Sequence, residues 1–132
     1  MITKGIETSV NYKFNLGVYP QNLQLGYTFI DDNIKDVNVL YTRYSLNSLK
    51  HQFSTSIRIK FLSFLDQSIG FRFVERTNGE TYNVLDAKIK ATFNKLEVSA
   101  AANNIFNTTY TETNLVPMPK ANVMFGVTYI IY

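Results

Sequence analysis

Alternation with a period of two runs through most of this chain, and it restricts the polypeptide to long β-strands. From Ile6 to Leu16, Ile6, Thr8, Val10, Tyr12, Phe14 and Leu16 face one way, and Glu7, Ser9, Asn11, Lys13 and Asn15 the other. Leu23, Leu25, Tyr27 and Phe29 oppose Gln24, Gly26 and Thr28. From His51 to Phe61 the odd positions His51, Phe53, Thr55, Ile57, Ile59 and Phe61 alternate with Gln52, Ser54, Ser56, Arg58 and Lys60. The pattern recurs over Ile69–Val74, Leu85–Phe93, Leu96–Asn103 and Val123–Tyr129. Successive side chains of a strand point to opposite faces, so each segment has one apolar and one polar face. The reading is all-β: an antiparallel meander of about seven long strands, some of ten residues or more. A helix over Val98–Ala102 is the competing reading, because alanine favours it, but the flanking alternation opposes it.

Strand length separates a membrane wall from a soluble sheet. Strands of soluble domains run to roughly 5–6 residues, whereas a tilted spanning strand takes about 9–11. Over these stretches the apolar faces carry no Lys, Arg, Asp or Glu. Aromatics cluster toward strand ends at Tyr12, Phe14, Tyr27, Phe29, Phe61, Phe93 and Tyr129, as the interfacial girdles of a transmembrane barrel require. The connections alternate in length. Val18–Gln21, Leu62–Asp66 and Asn94-Lys95 are short, Arg76–Glu80 is intermediate, and Asp31 to Leu49 and Asn103 to Pro119 are long. Outer-membrane barrels keep short turns on the periplasmic side and long loops outside.

Composition narrows the function classes. The 132 residues fit one domain at most. With no cysteine, disulfide frameworks, thiolate metal sites and cysteine nucleophiles drop out together. A net charge of +3, without any long Lys/Arg cluster, makes nucleic acid a poor partner. The first residues lack the charged and apolar regions of a signal peptide, so an exported chain that begins here implies truncation or processing.

Individual polar residues read mainly as structural. His51 is the single histidine and has no ligand-spaced companions, so an interfacial or structural role is expected rather than a metal site. Asp31-Asp32-Asn33 resembles the opening of a calcium loop but lacks the glycine and closing glutamate. Asp86 has no second carboxylate for acid–base work. It reads as half of an ion pair on the polar face, with Lys88, Arg58 or Arg72. Asn78-Gly79 marks a tight turn, with Glu75, Arg76 and Glu80 expected around a solvated tip. The polar-face cations Lys13, Lys50, Arg58, Lys60, Arg72, Lys88 and Lys90 form a basic wall, which either contacts an acidic partner segment or attracts anionic ligands. Neither a cofactor nor catalysis is expected.

Specific motifs lie in the last fifty residues. Tyr82-Asn-Val-Leu-Asp86, Asn103-Asn-Ile-Phe-Asn-Thr-Thr-Tyr110 and Val116-Pro-Met-Pro119 occur in order before a final strand ending on Tyr132. This succession resembles the C-terminal part of a TonB-dependent outer-membrane receptor. Gly5-Ile-Glu7 resembles a strand start of that family. Tyr44–His51 is loosely similar to a loop of its cobalamin and iron-chelate receptors. Lys120-Ala121 stands where the family carries Gly-Arg, and Tyr132 falls on the opposite parity from Tyr129 and Ile131.

The resemblance implies an open segment of a barrel of about 22 strands, placed in the Gram-negative outer membrane. Its partners would be lipid, the other strands and plug domain of the same receptor, a small-molecule nutrient, and the TonB complex only through segments outside this chain. Arg58, Arg72, Asp86, Lys88 and Lys90 would face the lumen. The last outer loop would reach the ligand mouth with Tyr110 and Thr113. Two alternatives stay open: a small autonomous outer-membrane barrel with a structural or adhesive role, and a soluble lipocalin-like barrel with its apolar face turned inward.

Overall fold

The computed structural model describes residues 2–33, 49–112 and 116–131. Seven strands form one antiparallel sheet in sequence order: β1 (Ile2–Leu16), β2 (Tyr19–Asn33), β3 (Leu49–Leu62), β4 (Leu65–Arg76), β5 (Thr81–Phe93), β6 (Leu96–Asn103) and β7 (Asn122–Tyr129). The all-β meander is thus the observed fold. The sheet is open, with β1 and β7 at its edges. Val98–Ala102 is strand within β6, so the alternation outweighs the helix propensity of three alanines. The first five strands have 12 to 15 residues, and β6 and β7 have 8. At roughly 3.3 Å per residue the longest reach about 50 Å.

Register turns seven separate alternations into two continuous faces. One rung runs Tyr12–Leu23–Ile57–Ile69–Ala87–Ala102–Val123 across all seven strands, and every member is apolar. The adjacent rung runs Lys13–Asn22–Arg58–Ser68–Lys88–Ala101–Met124 and points to the opposite face. A slip of one residue in any strand would put an apolar row among polar ones, so burial of one face or the other fixes the pairing. The apolar face is the uncovered one. Ile6, Val10, Ile69, Ile89, Val123, Phe125 and Val127 are all exposed.

Turns and loops segregate to opposite ends. Gly17-Val18, Ser63-Phe64 and Asn94-Lys95 close three hairpins at one end in two residues each. Gly17 and Asn94 take positive φ, 63° and 52°, as such turns demand. The first turn is tighter than the sequence suggested, because β2 resumes at Tyr19. At the other end β2 finishes at Asn33 and β3 starts at Leu49, the four-residue turn 77–80 joins β4 to β5, and the chain leaves β6 at Asn103 and enters β7 at Asn122.

One buried glutamine marks where the β2–β3 ladder stops, at Asn22 opposite Arg58. Beyond it the Gln21 amide stands in for backbone. Its Nε2 donates to the Lys60 carbonyl at 2.7 Å, and its Oε1 accepts from the Lys60 N–H at 2.7 Å. Gln21 is 2 % exposed although it lies on the apolar face, and both ends of its amide are satisfied.

Candidate functional site

The two larger depressions of the sheet, about 500 and 440 Å³, open on its polar side. The one of about 500 Å³ is lined by Asn22, Gln24, Arg58, Ser68, Asp86 and Lys88 among others. Arg58, Asp86 and Lys88 are exposed there. Gly70 leaves a gap in the floor between Ser56 and Asp86, its partners in β3 and β5. A Cβ at Gly70 would meet nothing within 4 Å.

Toward the long-loop end the polar face changes character. Val74 and Val84, at 1 % and 3 %, are the buried apolar residues among those described. The segment after β6 covers them by folding onto the sheet as a strap. Asn104 starts it. Its φ of 50° turns the chain back, its N–H donates to Asp86 Oδ1 at 2.8 Å, and its side chain bonds the Thr108 carbonyl, the Thr108 N–H and the Pro119 carbonyl. Asn107, at φ 53°, accepts from the Ala121 N–H. Asparagine tolerates the left-handed region and can bond nearby backbone, which accounts for Asn104 and Asn107 in the motif. The Met118 N–H donates to the Tyr110 carbonyl, and Thr111 bridges to Pro117.

A cluster of rings and guanidinium groups fastens the strap. Tyr110 stacks on Tyr82 with centroids 4.6 Å apart. Arg76 lies over Tyr82, and Arg72 over Tyr110. Arg76 Nη2 donates to the carbonyls of Thr111 at 2.6 Å and Glu112 at 3.2 Å. Arg72 pairs with Glu112 at 2.6 Å. Partial burial raises the Tyr110 phenol above its ordinary range, and the Arg72 charge pulls the other way.

Several sequence expectations change here. Arg76 is not at a solvated tip: it is 6 % exposed, with strap carbonyls and the Tyr82 ring against its guanidinium. Among the described residues Asp86 forms no ion pair; its carboxylate accepts the Asn104 N–H where the chain turns at φ 50°. Tyr110 lies against the polar face, stacked on Tyr82. Thr113 lies outside the described residues, as does Tyr132. Lys90 pairs with Glu97 at 3.2 Å and Lys50 with Glu75 at 3.4 Å. The Asn78-Gly79 turn forms as expected, with Gly79 at φ 84°. His51 sits among Tyr27 and Phe29, its Nδ1 2.8 Å from the Tyr27 hydroxyl. Asp31-Asp32-Asn33 continues the β1–β2 ladder, and most of Tyr44–His51 lies outside the described residues. Among the described residues no three His, Cys, Asp or Glu side chains gather as a metal site.

Sequence reasoning missed Arg76, Tyr82 and Asn104 as the fastening points. A signal existed. Val74 and Val84 fall on a polar-face parity in adjacent strands, which requires something to cover them. Scans against protein-family models, curated proteins and solved structures return no match to this chain.

Proposed function

We propose that this chain forms part of the wall of an outer-membrane β-barrel, and within that class the C-terminal barrel region of a TonB-dependent receptor importing a scarce nutrient. The uninterrupted apolar rung from Tyr12 to Val123 carries the reading. It is uncharged over seven strands, with Tyr12, Ile69 and Val123 exposed on it, and lipid is the solvent that such a surface suits. Segregated short turns and long loops support the same orientation, and so do two unpaired edges that further strands would complete. A lipocalin-like reading needs an apolar interior, and here the larger depressions lie on the polar face. The ordered motifs of residues 82–119 favour the receptor over a small autonomous barrel.

In this reading the chain has no catalytic role, lipid covers Ile57 and Ile89, and Arg58 and Lys88 face the lumen. The strap borders the ligand mouth, where Tyr110 and Thr113 are the candidate contacts. The 132 residues contain no cysteine, so single variants Ile57→Cys, Ile89→Cys, Arg58→Cys and Lys88→Cys report each position without background from this region. In outer membranes a water-soluble maleimide is expected to label the Arg58 and Lys88 positions and spare the other two. Equal labelling of all four would refute the membrane reading.

A further inference from the structure

Four cations of the polar face and its rim sort into two classes. Arg72 and Lys90 are paired with Glu112 and Glu97. Arg58 and Lys88 have no hydrogen-bond or ion-pair partner among the described residues, and both are exposed in the hollow. Both lie directly opposite Ser68, Arg58 from β3 and Lys88 from β5. Two strand spacings separate their backbones by roughly 10 Å. Side chains of this length close that distance onto a group a few ångströms wide. The nearest carboxylate along β5, Asp86, is engaged by the Asn104 N–H. Opposite Arg58 in β2, Asn22 has a buried Oδ1 with no hydrogen-bond partner. Such an orphaned acceptor calls for a donor from outside the sheet.

We propose that Arg58 and Lys88 form a binding site for a small oxyanion, a phosphate or carboxylate, carried on a hydroxyl-bearing molecule. The anion sits above Ser68 between the two cations. Arg58 supplies planar paired donors and Lys88 a compact charge, the combination that suits phosphate and carboxylate oxygens. A hydroxyl of the ligand donates to Asn22 Oδ1. The site depends on the hollow face being open to water, which the barrel reading shares; it does not depend on what the apolar face contacts.

Phenylglyoxal modification of the full-length protein, with each arginine followed by mass spectrometry, tests the site. Arg76 is the internal folding control, because a buried guanidinium stays unmodified while the fold holds. Without anion, Arg58 is expected to react readily. Inorganic phosphate should slow its modification at least fivefold, and glucose 6-phosphate should do so at about a tenfold lower concentration. Lys88→Gln should abolish protection while Arg76 remains unreactive. An Arg58 that is already unreactive without anion would mean that polypeptide covers it, and the proposal would be overturned. Absence of protection, or protection that survives Lys88→Gln, would overturn it as well. Phosphate protecting as well as glucose 6-phosphate would refute the hydroxyl contact at Asn22. Failure of the membrane reading would appear separately, in the maleimide labelling of Ile57→Cys and Ile89→Cys.

Discussion

Arg76→Met should release the strap, whereas Arg72→Gln should barely disturb it. The two arginines lie four residues apart on one strand and both touch Glu112, so the contrast isolates burial. Arg76 donates from a nearly inaccessible position to two carbonyls, at 2.6 and 3.2 Å. Bonds from a charged donor contribute about 1.5–3 kcal/mol each. Water reaches the freed carbonyls once the strap lifts, so the net cost is about 2–4 kcal/mol. With 1.4 kcal/mol per decade, local opening becomes about 30- to 700-fold more frequent. The Arg72–Glu112 pair is about one-third exposed on each side, and solvent-screened pairs contribute about 0–1 kcal/mol. Its loss therefore changes opening by about fivefold at most. Native-state hydrogen exchange at the Met118 amide reads this opening directly, because that N–H bonds the Tyr110 carbonyl across the strap. The Thr108 amide, held by Asn104 Oδ1, should keep its protection in both variants. Equal effects of the two substitutions at Met118, or no change with Arg76→Met, would refute the assignment of Arg76 as the fastening.

Three further outcomes are expected. Ile89→Arg should cost about 2–4 kcal/mol near the bilayer midplane and lower the amount of folded protein in the membrane, while Lys88→Gln leaves it unchanged; equal abundance of the two variants would contradict the face assignment. Gln21→Leu should remove both bonds to Lys60 and strand that backbone pair, for about 2–3 kcal/mol, seen as a lower denaturation midpoint. The folded Tyr110 phenol holds its proton more tightly than the unfolded one, so its contribution is complete below pH 10 and declines as pH rises through the folded value; Tyr110→Phe should flatten that alkaline loss of Met118 protection, and an unchanged profile would assign the loss elsewhere.

Alternation alone determined which residues share a face. Each strand carries its period of two locally, and Ile57 with Arg58, or Ile89 with Lys88, needs no knowledge of neighbours to be assigned to opposite sides. Loop lengths likewise determined which connections lie together, because a meander leaves no other arrangement. Tertiary structure decided what long-range contact alone can decide. Arg76 looks like a turn residue in sequence and is buried only because Thr111 and Glu112, 35 and 36 positions later, return to it. Asp86 looks like an ion-pair partner and instead holds the backbone of Asn104. Gln21 sits on an apolar face and fits there only because Lys60 presents an unpaired peptide at that height. In each case the deciding partner is backbone, and backbone groups are the same at every position of a sequence; only the path of the chain determines which one a side chain meets.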